Sequence, residues 1–295
     1  MSGTVWLIDG DIVAYQAAAG ESRVLQEAGE DAWDLSTEKG CKEHADAIIE
    51  EWTKSDQTGE IIIAFSQGAP FRRIVWEDYK LHRRGKPKPP LYAETVAHLK
   101  DRFGSFCSWG LEADDVLGIL STSPNYHPKK DKIIVSIDKD FLAIPGLLMN
   151  PRKGGTITEI SERSADTAWM TQTLTGDSTD GYPGCPTIGP KRAKTAIAEF
   201  SKQYSHYGNM CEGTWKPILA VFEAAGLSEA FALSQARCAR ILRYSDRAQK
   251  DEVILWEPTN TKNERISLRE WEKASMKGES QKFIEKMQKK LRPSA

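Results

Sequence analysis

Two stretches of this chain share one pattern: a short apolar run, rich in β-branched residues, that stops at a pair of aspartates two residues apart. Val5-Trp6-Leu7-Ile8 stops at Asp9-Gly10-Asp11, and Ile133-Ile134-Val135-Ser136-Ile137 stops at Asp138-Lys139-Asp140. A third run, Ile61-Ile62-Ile63-Ala64-Phe65, has the same makeup. Such continuous runs read as strands buried on both faces, which parallel sheets provide. Between them lie stretches of helical period, Glu43 to Trp52 and Tyr92 to Phe103. Strands separated by helices make βαβ units, so the expected fold class is α/β with a mostly parallel sheet flanked by helices. In such a sheet both aspartate pairs lie beyond the carboxyl ends of strands, where these folds place their ligands.

Two further acidic groups join them. Glu112, Asp114 and Asp115 open a helical pattern, and their spacing puts Glu112 and Asp115 on one helix face. Asp177 and Asp180 stand three apart in Gly176-Asp-Ser-Thr-Asp-Gly181. Taken alone, an Asp-x-Asp pair is more often a turn or a helix cap than a ligand. Acids from four clusters that converged without a counter-charge would repel, and several would hold protons at neutral pH. A divalent metal removes the conflict. Oxygen-only ligands without His or Cys suit Mg²⁺ or Mn²⁺, and two such ions about 4 Å apart suit phosphodiester cleavage.

The rest of the 295 residues narrows the class. Five scattered cysteines with no CxxC pair argue for reduced thiols and against a zinc site. No apolar run approaches the ~20 residues that span a bilayer, and the first residues lack a secretory pattern. A cytoplasmic location and no membrane partner are expected. Net charge is −2, so only local clusters can attract a polyanion. One lies between Phe71 and Lys100, where eight Lys/Arg oppose Glu77, Asp78 and Glu94 and Trp76, Tyr79 and Tyr92 interleave. Helical spacing there predicts that Lys80, Arg83 and Arg84 share a face, with Arg72 and Tyr79 as further nucleic-acid contacts. Lys86-Pro87-Lys88-Pro89-Pro90 must end that helix. A second grip is the Gly/Pro-dense turn Gly181–Pro190. Its glycines and the N-terminus of the following helix favour a phosphate, reinforced by Lys191, Arg192 and Lys194. The expected organisation is an α/β domain over 1–165 with a basic region at about 71–100, a helical domain over 166–260, and a basic tail over 261–295. That tail carries ten Lys/Arg against five Glu.

These residues together resemble the flap endonuclease / 5′→3′ exonuclease superfamily, and podovirus-type phage exonucleases in particular. The likeness runs through Leu7–Asp11, Ala64-Phe65 to Phe71-Arg72, Tyr79-Lys80 to Arg83, Leu111–Val116, Asp138–Phe141 and Gly176–Tyr182. It continues in Ala239–Arg243 and Ile254–Pro258. The resemblance implies a PIN-like (resolvase-like) nuclease domain followed by a helix–three-turn–helix domain that binds duplex DNA. It implies two Mg²⁺ (or Mn²⁺): one at Asp9, Glu112, Asp114, Asp115 and Asp138, the other at Asp140, Asp177 and Asp180. A K⁺ at the duplex-binding turn, formed by Gly184, Ile188, Gly189 and Lys191, is also implied. Lys80 and Arg83 match basic residues that meet the phosphodiester at the cut, and Asp115 and Asp140 are the acids expected to be indispensable. The implied activity is two-metal phosphodiester hydrolysis at 5′ ends of duplex DNA, at 5′ flaps and on RNA–DNA hybrids, leaving 5′-phosphates, in phage replication and primer removal. Replication proteins are implied partners, and a phage-encoded chain would act in the host cytoplasm. The alternatives are a PIN-like ribonuclease and a non-catalytic DNA-binding protein on the same fold. One departure stands out: relatives carry an acid shortly after the second strand, where this chain has Ser66-Gln67.

Overall fold

The computed structural model describes residues 3–29, 32–53, 58–248, 251–259 and 264–291. In chain order they form β1 (Thr4–Asp9), α1 (Gly10–Ala19), α2 (Arg23–Ala28), α3 (Glu38–Thr53), β2 (Glu60–Ala64), α4 (Arg72–Val75), α5 (Tyr92–Arg102), β3 (Gly104–Phe106) and α6 (Ala113–Thr122). There follow β4 (Asp131–Val135), β5 (Gly146–Met149), β6 (Ile157–Ile160), α7 (Glu162–Thr175), α8 (Pro190–Tyr207), α9 (Glu212–Ala224) and α10 (Glu229–Ala239). The last elements are β7 (Glu252–Ile254), β8 (Arg265–Ser267), α11 (Leu268–Met276) and α12 (Ser280–Leu291). The chain divides into two compact units, one of residues 1–67, 85–141 and 146–159, the other of 68–84, 142–145 and 160–295. The region expected at about 71–100 is therefore shared out: its first part belongs to the helical unit and its remainder to the α/β unit.

The α/β unit is built on a six-stranded sheet of order β3-β2-β1-β4-β5-β6. β1 pairs in parallel with both β2 and β4, and the β2–β3 and β4–β5 pairs are also parallel. The chain runs outward from β1 through β2 and β3, then returns to β1's other side as β4. That reversal is the switch point at which open α/β sheets bind ligands. Both faces of the central strands are covered, which explains the unbroken apolar runs. Trp6, Ile8, Ile63 and Val135 pack with Val13, Ala17, Ile48 and Leu99 of α1, α3 and α5. α6 packs against β1, β2 and β4. β3 was invisible in the sequence because its three residues form a short, exposed edge with no apolar run.

The helical unit encloses Trp169, Phe200, Trp215 and Phe222. The segment expected as a basic tail is part of this unit. β8 pairs antiparallel with β7, Trp271 of α11 is fully buried, and α12 buries Ile284 and Met287. The Trp271 indole N–H also donates to the Ala69 carbonyl at 2.8 Å. Residues 261–263 and 292–295 of that expected tail lie outside the described residues. Among the described residues no single helix is long and apolar enough to cross a membrane.

Candidate metal centre and nucleic-acid contacts

Asp9 ends β1 and caps α1, its Oδ1 accepting from the Ile12 amide at 3.3 Å. Its Oδ2 accepts from the Ser136 hydroxyl at 3.3 Å, and the Ser136 Oγ in turn accepts from the Asp138 amide at 3.1 Å. The ends of β1 and β4 are thereby joined. Asp9 is only 6% exposed. Burial, then the charges of Asp11 and Asp138, push its carboxyl up to about 7, against the smaller opposing effect of its hydrogen bonds. Asp140 follows in a short 3₁₀ turn, its amide donating to Asp138 Oδ1 at 2.9 Å. Asp11 faces the other neighbour: Oδ2 accepts from the Ser66 amide at 3.1 Å and Oδ1 from the Tyr92 hydroxyl at 2.9 Å. Burial and that carboxylate drive the Tyr92 hydroxyl far above its ordinary value, so it stays a donor.

The third acidic group opens α6. Glu112 is its N-cap and Asp114 and Asp115 lie in its first turn, where the helix's positive end favours carboxylates. Ser66 Oγ accepts from the Ala113 amide at 3.0 Å, which fastens the start of α6 to the end of β2. The Glu112 amide donates to Asp115 Oδ2 at 3.3 Å and the Asp115 amide to Asp114 Oδ1 at 2.6 Å. One carboxylate oxygen from each of the three acids lies within 4.8 Å of the others, with Glu112 and Asp115 buried. Hard oxygen donors at this spacing, on an N-terminal turn packed against β1, fit a divalent cation. Ser66, Ser136 and Tyr92 were missed in the sequence. The available signal was a serine just past the end of β2 and of β4.

Gln67 lies three residues past β2 and is exposed. Its amide donates to the Leu111 carbonyl at 3.1 Å and its carbonyl accepts from the Gly110 amide at 2.7 Å, so position 67 is held next to the start of α6.

The remaining expected residues lie in the helical unit, and several are used otherwise than expected. The stretch around Lys80 is not a helix: Lys80 has φ +52 and is followed by a single 3₁₀ turn, Leu81–Arg83. Arg72 is fully buried, donating to the carbonyls of Cys238 at 3.0 Å and Arg240 at 2.6 Å. It satisfies carbonyls left over at the end of α10 and is not a nucleic-acid contact. Tyr79, also fully buried, gives its hydroxyl to Asp180 Oδ2 at 2.9 Å and stacks on Tyr182. It has no face to offer a base. Asp180 Oδ1 meets Lys80 Nζ at 3.2 Å and the Arg83 guanidinium at 3.3 Å. Asp177 Oδ1 accepts from the amides of Thr179 at 2.7 Å and Asp180 at 3.2 Å, holding the turn together. Arg84 is exposed.

In the Gly/Pro turn, Gly184 is buried and its amide donates to Gln235 Oε1 at 2.9 Å. A Cβ on Gly184 would fall 2.2 Å from the Gly176 nitrogen, so glycine is there for chain packing. The expectation that Gly184 meets a phosphate is corrected. Ile188 is half-buried against the core, while Gly189, Lys191 and Arg192 are exposed at the start of α8, with Pro190 at its first position as expected.

With this geometry in place, comparison with known proteins is decisive. The family described as "5′-3′ exonuclease, N-terminal resolvase-like domain" matches residues 4–159, more than half of the chain. The chain belongs to the 5′-3′ exonuclease family. The exonuclease of Escherichia phage T7 is 30% identical over 287 residues, covering 86% of this exonuclease and 93% of that protein. The exodeoxyribonuclease of Enterobacteria phage T3 is 29% identical with the same coverage. Among solved structures, a bacteriophage T5 flap endonuclease in complex with DNA and metal ions superposes with a TM-score of 0.54. The match is 15% identical and covers 79% of this chain and 87% of that one, a likeness of fold. The resolvase-like sheet and the helical region that follows it are those of the flap endonuclease fold, and the exonuclease is an enzyme of the nuclease class.

Proposed function

We propose that this nuclease is Mg²⁺-dependent and degrades DNA from 5′ ends of duplexes and 5′ flaps, leaving 5′-phosphates, with RNA–DNA hybrids as a further substrate. The observation that carries the reading is the carboxylate trio Glu112, Asp114 and Asp115 within 4.8 Å, on an element packed against the strand that ends in Asp9. Asp9, Asp138 and Asp140, at the ends of neighbouring strands, complete the proposed oxygen ligand set. A bound divalent pair would supply activation of the attacking water and neutralisation of charge at the phosphate. The chain's own residues do the rest. Ser136 and Ser66 hold acids and backbone by hydroxyl contacts, so that the carboxylates keep their aim. Lys80, Arg83, Arg84, Lys191 and Arg192 contact phosphates, the last two beside the amides that open α8. The likeness to the phage T7 and T3 enzymes supports a role in phage DNA replication in the host cell.

The test is purified protein with a 5′-labelled duplex. Cutting in Mg²⁺, its loss in EDTA, and its loss by at least a thousandfold in Asp115→Asn with DNA affinity in Ca²⁺ retained are expected. An Asp115→Asn protein that cuts at the wild-type rate would remove the proposed centre.

A further inference from the structure

The proposed function leaves one set of cations unused, those of α12. Lys282, Lys286, Lys289 and Lys290 are all exposed, and at i, i+4, i+7 and i+8 they share one side of the helix. The opposite side is taken up by the core: Ile284 and Met287 are buried, and the Phe283 ring meets that of Trp271 at 5.7 Å. Glu285 is the one acid between the lysines, and it accepts from the Gln281 side-chain amide at 3.5 Å. Among the described residues none of the four ammonium groups is ion-paired. Exposed lysines elsewhere in the helical unit are treated differently. Lys202 meets Glu199 at 2.9 Å and Lys216 meets Glu212 at 3.3 Å, each one helical turn away.

A stripe of like charge destabilises its own helix. Lys286 has a lysine three or four residues away on both sides, and such neighbours repel. Lys289 and Lys290 complement the negative end of the helix. Lys282, however, stands in the first turn, which holds no acid and where the dipole disfavours a cation. A polyanion turns the repulsion into attraction, because ammonium groups that meet phosphates release counterions. The stripe also continues from the proposed phosphate contacts. Gln281, next to Lys282, donates to Glu77 Oε1 at 3.0 Å, and Glu77 lies three residues before Lys80. α12 packs on α4, where the buried Nε of Arg73 finds no acceptor among the described residues. Burial, then the charge of Arg84, holds that guanidinium below its ordinary value. At a helical rise of about 1.5 Å the four lysines span roughly 12 Å, room for roughly three phosphates of one DNA strand. We infer that the lysine face of α12 grips the backbone of duplex DNA beyond the phosphate that is cut. The inference rests on duplex DNA as the proposed substrate.

Full-length protein and a 5′-fluorescein duplex several helical turns long, in Ca²⁺, give the affinity by anisotropy as KCl is varied. Replacing the four lysines together (Lys282→Gln, Lys286→Gln, Lys289→Gln and Lys290→Gln) should lower the slope of log affinity against log salt by about 1.8–2.7, at about 0.9 for each of two or three lost contacts. At about 0.1 M salt that loss amounts to at least roughly tenfold in affinity. Lys202→Gln combined with Lys216→Gln should change neither quantity. An unchanged slope in the four-lysine variant overturns the inference and leaves the face to an acidic protein or to solvent. Glutamine keeps helix propensity, and a second measurement needs no variant at all. Acetylation of wild type, read by mass spectrometry, should slow at Lys282, Lys286, Lys289 and Lys290 when saturating duplex is added, and not at Lys202 or Lys216. Equal rates with and without DNA would overturn the inference. Cutting by wild type in Mg²⁺ is scored separately. A protein that binds duplex but cuts nothing refutes the proposed function and leaves the lysine face readable, whereas one that binds no duplex refutes both.

Discussion

Replacing Asp9 by Asn separates the chemistry of the acidic centre from the stability of the fold. The side chain keeps its shape, an oxygen to accept from the Ile12 amide, and an amide to donate to Ser136 Oγ; only the charge is removed. In the unfolded chain an aspartate ionises near 4, whereas burial and the charges of Asp11 and Asp138 push Asp9 up to about 7 in the fold. A carboxyl whose folded value is raised favours the fold fully below about pH 4, and that stability is lost as pH rises to about 7. At roughly 1.4 kcal/mol for each pH unit, the loss reaches about 4 kcal/mol above pH 7. In EDTA, Asp9→Asn should therefore be more stable than wild type by about 1–2 kcal/mol at pH 5 and by up to about 4 kcal/mol at pH 8, with a plateau beyond. Urea unfolding followed by tryptophan fluorescence at half-unit pH intervals measures the difference, and saturating Mg²⁺ should narrow it by stabilising wild type more than the variant. The same variant should be inactive. A stability difference that stays flat from pH 4 to pH 8, or a variant less stable than wild type at pH 8, would refute the reasoning.

Other perturbations test other links. Gln67→Asp places a carboxylate at a position whose backbone is bonded to Leu111 and Gly110, one residue from Glu112, so the Mg²⁺ concentration for half-maximal cutting should drop about threefold to tenfold; superimposable titrations would exclude any role for that position. Arg72→Met keeps volume and removes the donors to the Cys238 and Arg240 carbonyls, which should cost roughly 3–5 kcal/mol in urea unfolding. In the same variant the slope of log DNA affinity against log salt should be unchanged, whereas loss of a phosphate contact would reduce it by about 0.9.

The sheet and its acids were legible because two signals coincide at one place. An apolar run marks a strand buried on both faces, and its abrupt end is open to a ligand, so the positions of Asp9, Asp138 and Asp140 at or just past strand ends could be read from the sequence. Glu112, Asp114 and Asp115 were legible by helical spacing. The basic segment was not, because residue type shows what a side chain can do and not whether it is buried. Arg72 and Tyr79 read as a cation and a ring available to a nucleic acid. Their partners, however, stand 166 and 168 residues away for Arg72 and 101 residues away for Tyr79. Gly184 read as an open phosphate loop, yet the Gln235 side chain 51 residues on takes its amide. No local window contains those contacts. Lys80, Arg83 and Arg84 had helical spacing, and the left-handed Lys80 defeats it: a backbone bond from the Lys80 amide to the Asp180 carbonyl outweighs local propensity.

The serines show why an acidic centre needs more than acids. A row of carboxylates at the ends of parallel strands offers acceptors only, and acceptors cannot hold one another in place. Donors must come from neutral groups small enough to fit between them. Ser136 gives its hydroxyl to Asp9 while its Oγ takes the Asp138 amide, and Ser66 gives its amide to Asp11 while its Oγ takes the Ala113 amide. Each serine thus couples two of the acidic segments without adding charge, and a cation entering the proposed centre would meet oxygens already aimed. Alanine at either position keeps the strand and the carboxylates. It should loosen their registry and so raise the Mg²⁺ requirement of cutting well before it lowers the melting temperature.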